Sequence, residues 1–327
     1  MKRWLYETLH PEIYHGHDRR PPYFEGWYYR LINAAEDQRY AIIPGAFLGA
    51  GGHAFIQVLE GHTRRTAYHT FPLEQFQADR QRFEVRVGES TFTRESLCLA
   101  LDRSEPLGQI RGELRLQGGQ PWPVRWSAPG IMGWYAWLPW MECYHGVLSF
   151  DHSISGTLEV EGQGHIFDGG RGYIEKDWGK AFPAGYIWFQ SNHFDAPRVC
   201  LTASIAMIPW LGSAFRGFII GLWLDGRLYR FATYTGARTE SLVLQDERVD
   251  WVVSDRRLRL EMQAVQAGGG LIYGPTQHNM GRRVDETLDA SLRVCLSERG
   301  GRVLFEGCGR HGGLEINGDI QRLLAAR

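Results

Sequence analysis

The feature of this sequence that most constrains its fold is a series of short segments in which apolar and polar residues alternate. They include residues 83–87, 113–116, 156–160, 227–231 and 258–262. A period of two points alternate side chains to opposite faces of a β-strand, and the glycine-rich pairs between such segments supply hairpin turns. Apart from a short helix predicted near residues 320–326, no long stretch keeps a helical period. The sequence therefore predicts an all-β protein of antiparallel barrels or sandwiches.

The chain is long for one hydrophobic core. It has 327 residues, whereas single cores stop growing at about 250–300 residues. We therefore predict two consecutive domains, at residues 1–182 and 183–327. The 40 glycines and the 13% of aromatic residues favour tightly turned strands and a ring-lined cavity over long helices.

Charge and cysteine content exclude several classes of protein. Lys and Arg total 36 against 37 Asp and Glu, so we expect no nucleic-acid partner, which would require clustered positive charge. Five cysteines without a C-x-x-C pair predict reduced thiols. The run His15-Gly16-His17-Asp18 has no further ligand at a recognisable spacing, so we interpret it as a surface loop and predict no metal. With no signal peptide apparent, we predict a cytoplasmic location.

Two uncharged segments interrupt the strand pattern, at residues 127–141 and 205–215. The first carries Trp134, Trp137 and Trp140. Both are shorter than the roughly 20 apolar residues that span a bilayer. Two interpretations stay open. The segments pack inside the protein, or they form the apolar lip of a lipid-binding cavity and a peripheral contact with a membrane, where Trp is favoured.

Three segments combine carboxylates with aromatic residues, at 23–30, 141–146 and 172–180, and the last is followed by a strand at 186–193. Burial among rings disfavours the charged form of a carboxyl, which raises its pKa and keeps it a proton donor. The candidates are Glu25, Glu142 and Glu175. The alternative is that Glu25 and Glu175 form buried ion pairs with Arg30, Arg171 or Lys176.

Residues 23–30, residues 133–156 and the motif Glu175-Lys176-Asp177-Trp178-Gly179, with residues 188–192 after it, resemble the tocopherol cyclase family. The resemblance continues more weakly through 305–307 and 312–315 and so covers most of the chain. The family motif usually reads Glu-Lys-Asn-Trp-Gly, and here Asp177 replaces the Asn. More distantly, the motif resembles the Asp-His-x-Trp-Gly element of carotenoid hydratase-like and lipocalin-type pericyclase proteins.

The resemblance implies two consecutive lipocalin-like (calycin) antiparallel β-barrels with few short helices. It also implies the cyclisation of a prenylated hydroquinone, a hydrophobic small molecule, to a chromanol without a metal or redox cofactor. The tail double bond is protonated, and the ring hydroxyl captures the cation. On this basis we predict Glu175 as the proton donor, tuned by Lys176 and Asp177. The predicted substrate-binding residues are Glu25, Trp27, Glu142, Tyr144, Trp178, Trp188, Gln190 and Asn192.

Three other functions remain open from the sequence. A lipocalin-like cavity can bind an isoprenoid or lipid without catalysis, because a fold does not fix a function. A hydratase or pericyclase acting on another polyene would use the same acid. A purely structural interaction protein would keep its carboxylates in ion pairs.

Overall fold

The computed structural model describes residues 2–102 and 107–326. The chain divides into two compact units. The first contains Met1–Phe182 and Gly270–Arg283, and the second contains Pro183–Gly269 and Val284–Arg327. The first unit therefore includes a short segment from the second half of the chain.

Strands account for most of the described residues. In chain order they are β1 (Tyr23–Ile32), β2 (Arg39–Leu48), β3 (His53–Glu60), β4 (Thr66–Phe71), β5 (Phe76–Ala78), β6 (Glu84–Val87), β7 (Ser90–Thr93), β8 (Ser96–Asp102), β9 (Gln109–Gln117), β10 (Cys143–Val160), β11 (Gln163–Ile166), β12 (Gly170–Gly179), β13 (Gly185–Ser191), β14 (His193–Phe194), β15 (Val199–Trp210), β16 (Ser213–Leu224), β17 (Arg227–Ala232), β18 (Arg238–Gln245), β19 (Arg248–Ser254), β20 (Leu258–Val265), β21 (Gly270–Gly274), β22 (Arg282–Glu298) and β23 (Val303–Gly318). The helices are α1 (Lys2–Leu9) and α2 (Ile320–Ala325), with short 3-10 turns at Gly16–Asp18, Leu73–Gln75, Gly133–Trp137 and Thr233–Thr235.

The sheet of the first unit is rolled. Its strand order is β4-β3-β2-β1-β12-β10-β9-β8-β7-β6-β5, with β11 paired to β10. If this path were flat, its two end strands would lie about 48 Å apart, at about 4.8 Å per strand. Those end strands are consecutive in the chain, and the link from Phe71 to Phe76 spans at most about 18 Å. The sheet must therefore curl until β4 and β5 approach each other, which is the geometry of a barrel.

The sheet of the second unit is rolled for the same reason. Its order is β17-β16-β15-β13-β23-β22-β20-β19-β18, and the end strands β17 and β18 are again consecutive in the chain. Apolar side chains from these strands form a core that includes Phe189, Leu222, Trp251 and Leu314. Both units are thus rolled antiparallel sheets, and the predicted all-β class is confirmed.

Local sequence signals explain several elements. Asp225 and Gly226 link β16 to β17, and their φ angles of 46° and 85° suit the two-residue hairpin turn that an Asp-Gly pair favours. The helix predicted near the end of the chain is present as α2, where the Asp319 side chain accepts a hydrogen bond from the Arg322 N–H. Helix α1 was not predicted.

Of the helices in the described residues, none has the length and apolar character needed to cross a membrane.

Candidate functional site

The central motif lies on β12, between β1 and β10 in the sheet of the first unit. Glu25 lies opposite Trp178, and Trp27 lies opposite Lys176. Because side chains alternate along a strand, Lys176 and Trp178 share one face of the sheet with Glu25 and Trp27, and Glu175 lies on the other. The motif therefore contributes to two different clusters.

The first cluster is built on a buried ion pair. Lys176 Nζ lies 2.5 Å from Glu25 Oε1, and neither side chain is exposed. Tyr23 donates its hydroxyl to Glu25 Oε2 at 2.5 Å. Burial alone would raise the pKa of Glu25, but Lys176 and His15 together lower it below its usual value. The sequence-based expectation of a raised pKa is therefore wrong for Glu25, which forms a buried ion pair with Lys176 instead.

Lys176 also holds the chain segment before β1. Its ammonium donates to the carbonyl oxygens of Pro11, at 2.9 Å, and of Ile13. Its contacts are those of a structural ion pair, and its ammonium approaches Glu25 rather than Glu175. Its predicted tuning of Glu175 would have to act through the strand from the opposite face.

His15 completes this cluster. It is 5% exposed, so interpreting its segment as a surface loop was wrong for this residue. Its Nδ1 lies 2.8 Å from Lys176 Nζ, and its Nε2 lies 2.9 Å from the Glu7 carbonyl oxygen. Burial and the neighbouring ammonium lower the pKa of His15. The contacts fit a neutral ring that accepts at Nδ1 and donates from Nε2.

Aromatic rings cover the ion pair. The His15 ring stacks on Trp178 at 4.7 Å with an interplanar angle of 3°, and Tyr144 stacks on Trp178 at 5.5 Å and 9°. Lys176 Nζ lies 4.4 Å from the Trp178 ring centroid and 5.1 Å from that of Trp27. Trp27 is fully buried and donates to the Glu12 carbonyl oxygen at 3.2 Å. Cation–π attraction thus adds to the charge pairing.

The second cluster lies on the other face of β12. Tyr173 donates its hydroxyl to Glu175 Oε2 at 2.6 Å. His145, on β10, lies with Nε2 3.6 Å from Glu175 Oε2 and with Nδ1 2.8 Å from Asp177 Oδ1. The side chains of Glu175, His145 and Asp177 are 6%, 11% and 27% exposed. The histidine ring therefore joins a buried carboxyl group to a carboxylate that meets solvent.

The last residue of the motif has a steric reason to be glycine. Gly179 has a φ of 151°, and a Cβ atom there would lie 2.2 Å from the backbone oxygen of Glu142. Lys180 donates its backbone N–H to that same oxygen at 2.8 Å. The close approach of β12 to the start of β10 therefore requires the absence of a side chain.

A pocket opens beside the motif in the first unit. Its walls come from α1 and the segment after it, from the loop around Gly133–Trp137, and from Tyr144, His145 and Trp178. The space measures about 460 Å³, including the part open to solvent. Burial raises the pKa of Tyr144 to about 12, so its hydroxyl stays protonated and donates to the Leu138 carbonyl oxygen. Stacked rings, two histidines and mostly apolar neighbours make this a site suited to a hydrophobic guest.

The structure distributes the predicted site residues unevenly. Glu25, Trp27, Tyr144, Trp178 and the three predicted catalytic residues lie around β1, β10 and β12. Glu142 is half-buried and accepts a hydrogen bond from Gln277 at 3.2 Å. Trp188, Gln190 and Asn192 are buried in the second unit, where the Gln190 side chain donates to Cys200 Sγ at 3.6 Å.

Sequence reasoning missed His15 and His145. His145 was visible in the segment 141–146, and pairing β10 with β12 places it opposite Asp177. Nothing in the sequence indicated that His15 is buried, because its partner Lys176 is 161 residues away.

The trio His145, Glu175 and Asp177 offers ligand atoms within 4.8 Å of one another. However, the two carboxyl groups approach different nitrogens of one imidazole ring. A metal bound at either nitrogen would have one carboxyl group on the far side of the ring. The Asp177 contact, at 2.8 Å, is a hydrogen bond, and the ring lies between the two carboxyl groups, so the three side chains do not converge on one cation.

Comparisons with known proteins agree with this geometry. The model of the tocopherol cyclase-like family matches residues 57–318. The chloroplastic tocopherol cyclase of Zea mays is 24% identical over 199 residues, which cover 57% of this chain but only 41% of the maize protein. The match thus spans well under half of the length of that curated relative.

Two solved structures share the fold. A putative AttH from Nitrosomonas europaea has a TM-score of 0.54 at 15% identity, covering 90% of this chain and 92% of its own. Kievitone hydratase from Nectria haematococca has a TM-score of 0.50 at 11% identity, covering 94% of each chain. The rolled sheets and these likenesses define a lipocalin-like all-β protein. The chain belongs to the tocopherol cyclase-like family, a cyclase-like enzyme family, as its motifs predicted.

Proposed function

We propose that this protein cyclises a prenylated hydroquinone to a chromanol by protonating the tail double bond. The observation that carries the proposal is the second cluster. Glu175 is buried, receives a hydrogen bond from Tyr173 and lies 3.6 Å from His145, while the next residues of the motif, Lys176 and Trp178, face the side on which the pocket opens.

The pocket offers what the charged intermediate of this reaction requires. Protonation of a trisubstituted alkene leaves a tertiary cation, which aromatic faces stabilise without adding to it. Trp178 and Tyr144 present stacked rings in the pocket wall. Trp27 is fully buried and packs against the Lys176 ammonium, which also contacts the Trp178 ring. Capture of the cation by the phenol oxygen then closes the chromanol ring.

Incubation with a panel of prenylated hydroquinones tests this function. We expect a product of unchanged mass that has lost one phenolic hydroxyl group. In heavy water the product gains one deuteron on the former alkene carbon. Glu175→Gln should lower turnover about 10²- to 10⁴-fold, which is the usual contribution of a proton-transferring group. Glu113→Gln, on the exposed face of β9, is the matched control and should retain full turnover.

A hydratase is the second candidate, because the chain shares its fold with kievitone hydratase. Hydration would add the mass of one water, whereas cyclisation adds none. A carrier would return the hydroquinone unchanged and without deuterium. Recovery of unchanged substrate from the whole panel would count against both enzymatic candidates.

The partner that we propose for the pocket mouth is a lipid surface. Trp4, Trp126, Trp134 and Trp140 are 38%, 65%, 43% and 57% exposed. The Trp137 ring packs 5.3 Å from Trp4 and 5.5 Å from Trp126, which joins α1 to this loop. Indole rings favour the interface between water and lipid. A hydrophobic substrate dissolved in a membrane would meet the pocket through these rings.

A further inference from the structure

We infer that the ligand of the pocket carries a carboxylate on its aromatic ring and that this carboxylate pairs with the guanidinium of Arg19. For its chemical step this inference rests on the proposed cyclisation, and it narrows the substrate from prenylated hydroquinones in general to those with an acidic ring. Arg19 lies outside residues 57–318, which match the family model, so the family likeness does not supply this role.

The turn before Arg19 places it at the pocket. Its backbone N–H donates to the Gly16 carbonyl oxygen at 3.2 Å, at the end of the 3-10 turn Gly16–Asp18. The residue lines the pocket together with Tyr144 and Trp178. Burial raises the pKa of Tyr144, and the charge of Arg19 opposes that effect. The guanidinium therefore lies close enough to act on a ring of the pocket wall.

Other polar side chains that line the pocket already have partners inside the protein. Thr8 donates its hydroxyl to the Trp4 carbonyl oxygen at 2.9 Å. His15 Nε2 lies 2.9 Å from the Glu7 carbonyl oxygen. The Glu7 side chain accepts a hydrogen bond from Arg3 Nε at 2.8 Å. A ligand that bound to these groups would have to displace an existing contact.

The charge of Arg19 is not balanced by its surroundings. Arg3 pairs with Glu7 and also with Asp18, whose carboxylate lies 4.0 Å from Arg80. These two arginines and two carboxylates offset one another. Within the part of the chain that the structure describes, no carboxylate lies within 4.0 Å of the Arg19 guanidinium. The pocket wall therefore carries an unpaired positive charge that a ligand can use.

The chemistry of a single guanidinium favours a carboxylate as its partner. The planar fork of Arg presents parallel N–H groups that match the two oxygens of a carboxylate. A phosphate monoester carries about 1.5 to 2 negative charges, whereas Arg19 supplies one positive charge. A singly charged, planar anion therefore fits this position better than a phosphate.

The proposed reaction gives an independent reason for an anionic ligand. An unpaired guanidinium would repel the tertiary cation that protonation of the alkene forms, because like charges destabilise each other. Lys176, a cation that contacts the Trp178 ring, is already neutralised by Glu25. A ring carboxylate bound to Arg19 would neutralise the second cation in the same way. The aromatic wall could then stabilise the intermediate without an opposing charge.

Binding of a matched pair of ligands tests the inference without catalysis. The pair is a prenylated dihydroxybenzoic acid and its methyl ester, which differ in charge, and quenching of tryptophan fluorescence measures the Kd of each. Wild type should bind the acid at least about tenfold more tightly than the ester, since hydrogen bonds between charged groups are stronger than neutral ones. Arg19→Gln should abolish this preference. Arg20→Gln changes a neighbouring exposed arginine that does not line the pocket and should retain it.

Equal affinity of wild type for the acid and the ester would overturn the inference, and so would a preference that survives in Arg19→Gln. Failure of wild type to bind either compound would overturn it as well. If Arg19→Gln lost binding to phosphatidylglycerol vesicles but kept the preference for the acid, its guanidinium would serve lipid headgroups, and the inference would be wrong.

Turnover separates this inference from the proposed function. If the acid binds through Arg19 but no hydroquinone of the panel is cyclised, the cyclase proposal fails and the assignment of the ligand stands. If neutral hydroquinones are cyclised and a ring carboxylate improves neither binding nor turnover, the cyclase proposal stands and the inference fails.

Discussion

Lys176 and Glu25 form an ion pair between two side chains that have no exposure to solvent, with Nζ and Oε1 2.5 Å apart. The pair joins β12 to β1, and through the carbonyl oxygens of Pro11 and Ile13 it also fixes the segment that leads from α1. Because that segment carries His15, the ion pair determines where one wall of the pocket lies. In the most distinctive motif of the sequence, the lysine therefore supports the site rather than performing the chemistry.

Replacing Lys176 tests this structural role. Lys176→Met leaves the Glu25 carboxylate buried without its cation, so the free energy of unfolding should fall by about 3–5 kcal/mol. Lys180→Met removes an exposed lysine of the same strand region and should change stability by less than about 0.5 kcal/mol. Urea unfolding followed by tryptophan fluorescence measures both. A Lys176→Met protein as stable as wild type would show that the pair does not stabilise the fold.

His152 should make the protein sensitive to acid. Burial lowers the pKa of His152 from 6.5 to about 3, so the native ring stays neutral over a range in which the unfolded chain binds a proton. As the pH falls from about 6.5 toward 3, the unfolded state gains protons first and stability is lost. Between pH 7 and pH 4 the free energy of unfolding should fall by about 3 kcal/mol from this group, at about 1.4 kcal/mol for each pH unit below the unfolded pKa.

The variant His152→Gln removes that titration while keeping a polar side chain near Ser149, whose Oγ lies 3.1 Å from His152 Nδ1. The difference in unfolding free energy between pH 7 and pH 4 should shrink in His152→Gln by about that 3 kcal/mol. The exposed His278→Gln should reproduce the wild-type difference. An equal pH dependence in wild type and His152→Gln would contradict the buried, neutral assignment.

Gly179→Ala should destabilise the first unit beyond the ordinary cost of an unfavourable φ angle. A new Cβ would lie 2.2 Å from the Glu142 oxygen, and only a backbone shift relieves this contact. Gly162 also has a positive φ, of 80°, but a Cβ there meets nothing within 4 Å. We expect Gly162→Ala to cost about 1 kcal/mol and Gly179→Ala to cost about 1–3 kcal/mol more. Thermal and urea unfolding measure both variants. If Gly179→Ala and Gly162→Ala lost the same amount of stability, β12 and β10 would not be closely packed at Gly179.

Several parts of this structure were accessible from the sequence because they depend on local rules. Period-two alternation predicted the strands, and the pair Asp225-Gly226 marked a hairpin. The same alternation separates Lys176 from Glu175, so their opposite faces follow from the strand assignment alone. The 3.6 Å approach of His145 to Glu175 required knowledge of which strands pair, and pairing is a long-range property. The burial of His15 depends on Lys176, 161 residues away, and no local pattern encodes it.

The exposed tryptophans at the pocket mouth make a final prediction about lipid. If Trp126, Trp134 and Trp140 insert at the water–lipid interface, the protein should sediment with phosphatidylcholine vesicles and its fluorescence should shift to shorter wavelength. Replacing the three with Ser removes their exposed indole rings and should weaken partitioning at least about tenfold, since each indole buried in lipid contributes on the order of 1 kcal/mol or more. Ile166→Ser, which removes a 64% exposed side chain from β11, is the control and should bind like wild type. Equal vesicle binding by the triple variant would locate the membrane contact elsewhere, and no binding by the wild type would refute the membrane contact.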